Sequence, residues 1–499
     1  PGSGLLSISA YKNLYLTSSS GAIYSAALPQ LSVPSYCSAY STPVPNANSS
    51  PQPVWITDNS NTGAHVYLYV VTGAPPKPPY GPGGTQTQYL AANGTLQNFT
   101  VGATAPPFPL ECFPGSTHQG NGLTFELPPP TNSLQSAGFY IAYATPPPDG
   151  SVPNPLIFTG VTSDSQVGNN GPTFDWNASG YVSTPWDYVE YTLPHGITDV
   201  TQVDKVGLPL QLTQGSTTIG WAPGQYENLL SAIVADPIYK NLAVSTQLNG
   251  NSLLARILSP AKGENWGFPQ DWWYNSTFNA AHSALGQGYV GYVFSQYQTA
   301  PQLYTLNGVK GFSGNYCATF DGSSNVQFYS VGSATTCPKP LTGSPITMPI
   351  NTTLTGVTIP KDSYGVCGSA IFEMPYGTSG GITPFTTDTQ FYLWKAMVID
   401  ISRGVALQNA THPIGGWATS PAVPFSTFYL DPAYNQYAYL VHKYMIGNRT
   451  YALQYDEPGG LAPTFTSDPT LPLQITIWNI PTYSRATPTA NATPLPCPT

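Results

Sequence analysis

Only 7% of the 499 residues are Asp, Glu, Lys or Arg, against about 25% in ordinary soluble chains. That shortage decides what the chain can build. A heptad seam edged with charge pairs or a polyelectrolyte tail needs charges it lacks. With 14 Lys+Arg against 23 Asp+Glu and a net charge of −9, it offers no basic surface to nucleic acid or to an anionic membrane. Its solubility must come from hydroxyls, amides and glycans. The 34 Tyr and the 13% aromatic share point to a large core and many stacking surfaces. Frequent β-formers punctuated by Gly and Pro predict a β-rich, secreted protein.

No run reaches the about 18 apolar residues that a membrane span requires. The chain opens at Pro1 without a leader and reads as a processed, mature product. Its six cysteines, Cys37, Cys112, Cys317, Cys337, Cys367 and Cys497, never form C-x-x-C. They are expected in disulfides, not around a metal, and no cofactor is expected. Spacing leaves the pairings open, except that Cys317 and Cys337 close a short segment resembling a hairpin. Sequons at Asn48, Asn93, Asn98, Asn177, Asn275, Asn351, Asn409, Asn448 and Asn491 are candidate glycan sites.

Residues 1–52 end in a Pro/Ser/Asn linker, PVPNANSSPQP. Strand–turn–strand patterning then runs from VWITDNSNTGAHVYLYVVTG to about residue 215. Helical spacing appears later. Tyr226, Leu229, Leu230 and Ile233 repeat at helical intervals up to Pro237, and Leu393, Ala396, Met397 and Asp400 do so up to Gly404. Tyr434, Ala438, Val441 and Met445 form a third such face, with Gly447 at its end. The last fifteen residues, rich in Pro, Thr and Ala, read as a solvated tail.

With so few carboxylates, the densest acidic and aromatic segment stands out. It is WDYVEYTLP at 186–194, followed by TDVTQVDKVGLPL at 198–210. As a strand, the first places Trp186, Tyr188, Glu190 and Thr192 on one face and Asp187, Val189 and Tyr191 on the other. The second, read as a regular strand, places Gln202, Asp204 and Val206 together. Two carboxylates on neighbouring strands beside aromatic platforms suit glycoside hydrolysis, which needs one acid for the leaving oxygen and one to activate water or attack the sugar. Taken alone, Glu190 and Asp204 read first as ordinary strand or turn acids, since such acids outnumber catalytic ones.

These blocks come in a characteristic order with RILSPAKGENWGFPQDWW, VCGSAIF, DISRGVAL and YNQYAYLVHKYMIGNRTYALQYDEP. From Val54 to Trp478 the chain resembles glycoside hydrolase family 64, the laminaripentaose-producing β-1,3-glucanases of the thaumatin-like superfamily. The resemblance implies Glu190 as general acid and Asp204 as general base of an inverting, endo-acting hydrolysis of β-1,3-glucan. It makes Thr192 a sugar-binding hydroxyl, with Trp186 and Tyr188 as aromatic substrate contacts. It also implies a β-rich α+β fold in which a β-barrel or sandwich domain and a mixed α/β domain form a wide groove. The boundaries expected are an N-terminal extension at 1–52, the barrel at 53–215 completed by 450–484, the α/β domain at 216–449 and a tail at 485–499. Two positions depart from the family pattern. Pro194 follows the Thr–Leu pair where a polar residue is usual. Lys205 follows Asp204, pointing away from it in a regular strand and towards it across a bulge.

Other motifs read more simply. Gly377-Thr378-Ser379-Gly380-Gly381 fits a nucleophile elbow only formally, because Pro384 and more loop precede the next helix. His442 has no metal-ligand partner one helical turn away and is expected as a hydrogen-bonded core or groove residue. Trp272-Trp273-Tyr274 reads as core rather than as a stacking platform, and Asp456 and Glu457 read as turn or groove-rim residues or as binding ones. The competing reading is a non-catalytic, glycan-binding surface or filament glycoprotein that keeps this fold and self-associates through residues 1–52.

Overall fold

The computed structural model describes residues 13–17, 23–27, 35–41, 52–72, 88–98, 100, 102–113, 121–125, 134–146, 151–158, 183–193, 197–203, 205–236, 239–260, 289–309, 312–322, 325–349, 388–407, 424–431, 434–453, 461, 465–466, 468 and 470–485. The architecture is β-rich with a few helices. An eight-stranded sheet runs in the order Phe465–Thr466, Ile197–Asp199, Trp186–Leu193, Leu134–Ala144, His65–Thr72, Gln88–Leu90, Leu96–Asn98, with Phe108–Pro109 also on His65–Thr72. A five-stranded sheet packs against it in the order Thr217–Gly220, Leu210–Gln214, Leu473–Ile477, Gln52–Asp58, Asn121–Phe125. Its 473–477 and 52–58 strands are parallel, and the 473–477 strand, late in the chain, lies at the centre of the sheet between 52–58 and 210–214.

Period-two patterning explains the sandwich. Val66, Leu68, Val70, Phe139, Ile141, Val189 and Tyr191 face inward, meeting Val54, Ile56, Leu210, Leu212, Ile475 and Ile477 of the second sheet. Each such buried side chain contributes about 1.5–3 kcal/mol. The alternate residues, Tyr67, Tyr69, Val71, Ala142 and Trp186, are buried too, in a separate aromatic layer with Leu156 and Phe158. The centre of the eight-stranded sheet is therefore covered on both faces, and its strands read as nearly continuous apolar runs.

A second core is built from helices Gln225–Ala235, Tyr289–Thr299, Asp388–Ser402 and Gln436–Tyr444 with two further sheets. One holds Lys205–Val206, Asn251–Leu258 and Ala243–Leu248; the other holds Gln302–Val309, Phe312–Phe320, Asn325–Gly332 and Ile346–Pro349. The three helices expected from spacing are present. Tyr226, Leu229, Leu230 and Ile233 are the buried face of the first, and Gly404 takes φ 61° just past the second. Asn435 caps the third by accepting from the Ala438 amide at 3.0 Å. The Tyr289–Thr299 helix, YVGYVFSQYQT, was not expected, because its aromatic and β-branched residues have strand propensity. Tertiary burial of Val293, Phe294 and Tyr297 overrides that preference.

Cys317 and Cys337 form the expected disulfide, closing the hairpin of Phe312–Phe320 with Asn325–Gly332. Cys37 pairs with Cys112 and staples the 35–39 turn to the sandwich; Cys367 and Cys497 lie outside the described residues. In the N-terminal extension, Asn13–Thr17 and Ile23–Ala27 pair with one another as a hairpin. No helix among the described residues is long and apolar enough to cross a membrane.

Candidate active site

The Trp186–Leu193 strand is the expected strand, and its ladder fixes what surrounds Glu190. Glu190 lies opposite Gly138 on one neighbouring strand and opposite Asp199 on the other. Residues directly opposite share a face, so Asp199 stands beside Glu190 and is buried, whereas Glu190 is half-buried. Among the described residues no hydrogen bond engages the Glu190 carboxyl. The next row on the same face is Tyr188, Tyr140 and Tyr69 on three consecutive strands. The rings of Tyr140 and Tyr188 stack with centroids 5.2 Å apart.

Gly138 makes room for this arrangement. A Cβ there would lie 2.6 Å from Cε2 of Tyr140, so the Tyr140 ring leans across the glycine towards the Glu190 row. Burial, and then the Glu190 charge, push the Tyr140 hydroxyl well above its ordinary pKa.

The opposite face of the strand carries a buried ion pair. The Lys205 Nζ donates to Asp187 Oδ1 at 2.5 Å, with the two side chains 2% and 0% exposed. Asp187 Oδ2 accepts from the Gly207 and Leu208 amides at 3.0 and 3.1 Å and from Gln202 Nε2 at 3.5 Å, while Oδ1 accepts from its neighbour Tyr188 at 2.9 Å. The Lys205 ammonium also sits 3.9 Å over the Trp186 ring, a favourable cation–π position. Arg256, wholly buried, lies over that ring too and donates to the Thr184 carbonyl. Burial pulls its guanidinium pKa down to about 9, against the opposing pull of Asp187.

The described residues on either side of Asp204 therefore do not follow the regular strand expected. Among the described residues of this stretch Lys205–Val206 pairs as a strand and Thr201 forms an isolated bridge to Tyr451, and Gln202 and Lys205 both reach Asp187, which strict alternation would forbid. Lys205 turns inward, but to Asp187. Asp204 lies outside the described residues, as does the side chain of Thr192, next to a register shift between Tyr191 and Leu193.

Trp186 has no exposed surface, so it cannot make the substrate contact expected of it, whereas Tyr188, the other aromatic contact expected, is half-buried. His442 is buried, with Nδ1 2.6 Å from the Tyr429 hydroxyl and Nε2 3.1 Å from the Thr450 carbonyl, a core histidine as expected. Asn93 and Asn98 are exposed. The Asn448 amide instead donates to the His442 and Lys443 carbonyls at the end of its helix, so its nitrogen is already engaged. The other six sequons, the 377–381 motif, Trp272–Tyr274, Asp456 and Glu457 lie outside the described residues. Sequence reasoning missed Asp199, Tyr140 and the Asp187–Lys205 pair. Asp199 and Asp187 stood in the acidic segments already singled out, whereas nothing local marked Tyr140.

The family model described as "Beta-1,3-glucanase", glycoside hydrolase family 64, matches residues 53–460. Among solved structures the fold is similar to a laminaripentaose-producing β-1,3-glucanase in complex with laminaritetraose. The TM-score is 0.54 at 17% identity, over 86% of this chain and 99% of that one. A β-1,3-glucanase domain from Clostridium beijerinckii matches at a TM-score of 0.49 and 17% identity, over 87% of this chain and 100% of that one. Among curated proteins none matches. With its acidic strand, its aromatic face and more than three-quarters of its length inside the matched region, the chain belongs to glycoside hydrolase family 64, a family of β-1,3-glucanases.

Proposed function

We propose that the protein is a secreted, endo-acting, inverting β-1,3-glucan hydrolase with Glu190 as general acid and Asp204 as general base. One observation carries the reading. Glu190 is half-buried in the row beside the Tyr140–Tyr188 stack, with no hydrogen bond to its carboxyl among the described residues, and Asp187 of the same strand binds the amides of Gly207 and Leu208, which follow Asp204 in the chain. In this scheme Glu190 passes its proton to the glycosidic oxygen as the C1–O bond breaks. Asp204 takes a proton from a water that attacks C1 from the opposite face. Each turnover leaves an inverted anomer and restores both acids after proton exchange with solvent. An inverting pair needs carboxyl groups roughly 6.5–9.5 Å apart. Tyr188 offers its ring to the apolar face of a glucose unit, and Thr192 a hydroxyl.

We assign the fold to the thaumatin-like architecture, with a groove between a barrel at 53–215, completed by 450–484, and a mixed domain at 216–449. The laminaritetraose bound by the similar structure supports a β-1,3-glucan as the ligand. Two disulfides and exposed sequons at Asn93 and Asn98 support an extracellular, glycosylated product.

Proton NMR of laminarin digestion tests the mechanism. The first-formed reducing ends should be the α-anomer; accumulation of the β-anomer would overturn inversion. A wild-type chain that binds laminarin but releases no reducing sugar would replace the enzyme with a glycan-binding protein of the same fold.

A further inference from the structure

We infer that the buried Asp187–Lys205 pair is a positioning clamp that sets the distance between the two catalytic carboxylates, resting on the assignment of Glu190 and Asp204 above. Connectivity makes the argument. Asp187 lies three residues before Glu190 on one strand, and Lys205 directly follows Asp204 in the chain. A single ion pair thus ties the backbone carrying the acid to the backbone carrying the base.

The clamp is saturated. Besides the Lys205 ammonium at 2.5 Å, Asp187 receives the amides of Gly207 and Leu208 at 3.0 and 3.1 Å. Gly207 is required for this approach, since a Cβ there would lie 2.0 Å from the Trp186 carbonyl oxygen and 2.8 Å from Lys205 Nζ. Outer bonds hold the same segment at both ends. The Gln202 carbonyl accepts from the Tyr437 hydroxyl at 2.6 Å, and its amide donates to the Tyr451 carbonyl at 2.7 Å. The Gly207 carbonyl accepts from the Tyr226 hydroxyl at 2.7 Å. Val206 packs into the helical core and Leu208 into the sandwich, so this short segment runs from one core to the other.

Burying an ion pair is poor economy for stability alone, because an apolar pair of similar volume often serves as well or better. A lysine wholly inside the protein, charge-paired, backed by Trp186 and immediately next to the base, is accounted for by geometry. Glu190 and Asp204 must keep a water-sized gap, and a displacement of about 1 Å at a reacting group can cost about 100-fold in rate. The pair touches no substrate; both members act through their neighbours.

The test compares Lys205→Met, Asp187→Asn, the double variant and Glu190→Gln on laminarin, with laminari-oligosaccharide affinity by calorimetry and folding by circular dichroism. Each clamp variant that folds should lose about 100-fold in kcat while KM and oligosaccharide affinity stay within about threefold of wild type, inside the spread of independent contacts. The double variant should lose no more than the worse single one, as expected of two groups acting as a unit. Lys205→Met leaves Asp187 buried without its countercharge and stands to unfold. The uncharged, nearly isosteric double variant then carries the test. A folded double variant with wild-type kcat overturns the clamp. So does a double variant that fails to fold, which would make the pair a requirement of the fold alone. Glu190→Gln separates the two levels: if it keeps wild-type turnover, the acid assignment fails and the clamp with it. If it is inactive while the clamp variants turn over normally, only the clamp fails.

Discussion

Two buried aspartates, one in the β-sandwich and one in the helical core, show how differently this chain handles charge. Asp187 is surrounded by donors: an ammonium, three backbone amides and a glutamine side chain. Asp400, on the Asp388–Ser402 helix, has an Oδ1 with no hydrogen-bond partner among the described residues. Burial pushes its carboxyl well above the usual carboxylate range; Arg403 draws it back and Asp431 raises it further. Arg403 is itself buried, 4.8 Å over the Phe428 ring. The number of donors makes the difference. A saturated carboxylate can hold two pieces of backbone in register, whereas an under-donated buried one is pushed towards its neutral form.

The sharpest way to break that contrast is to remove acids on both sides. Glu190→Gln and Asp204→Asn should each lower turnover of laminarin or curdlan by at least about 100-fold with binding retained, the usual weight of a general acid or base. Asp400→Asn should leave turnover at wild-type level. Retention of more than about a tenth of the activity in either of the first two, below that usual weight, would dissolve the distinction, as would a large loss in the third.

Disulfides compare the regions through their loops. Cys37–Cys112 spans 75 residues of sequence and Cys317–Cys337 spans 20. Replacing each pair by serines should cost about 4.5 and about 3 kcal/mol respectively on chain-entropy grounds. Urea titrations of the two variants check the order, and a larger loss at Cys317–Cys337 would mean that the 35–39 turn adds little to the sandwich.

A smaller effect is set by pH. Because the folded protein holds the Asp400 proton more tightly than the unfolded chain, stability from this group is fully present below the ordinary Asp pKa. It is lost as pH rises from there towards the elevated folded value. Asp400→Asn removes that loss, so its melting temperature relative to wild type should climb between pH 4 and pH 7. A difference that is flat across that range would show Asp400 titrating normally.

The smallest effect concerns the aromatic row. Tyr188→Leu should raise KM by about 2- to 10-fold with kcat little changed, in keeping with about 0.5–1.5 kcal/mol for one aromatic stacking contact. An unchanged KM would move the sugar platform away from the Tyr140–Tyr188 stack.

Much of this was legible in the linear chain. Period-two patterning identified the Trp186–Leu193 strand and its faces, and helical spacing identified three helices by the residues they bury. A hairpin-like segment brought Cys317 to Cys337, and the order of motifs carried the family. These are local signals, set within a few residues by backbone periodicity and turn chemistry. The neighbours of Glu190 were not of this kind. Gly138 and Tyr140 arrive from a strand some fifty residues earlier, and Asp199 by a register that only pairing defines. Trp186 looks like a platform in sequence and proves to be core, since a tryptophan's exposure depends on what packs over it, here Lys205 and Arg256. Lys205 is the clearest case. By strand alternation it should avoid the acids or approach Asp204; the fold instead offered Asp187, whose remaining lone pairs were already drawn to the backbone amides of Gly207 and Leu208. The sequence determined which residues could form strands, helices and acids. Only the tertiary structure decided which charges meet, because pairing depends on long-range register and on the cost of leaving a buried charge alone.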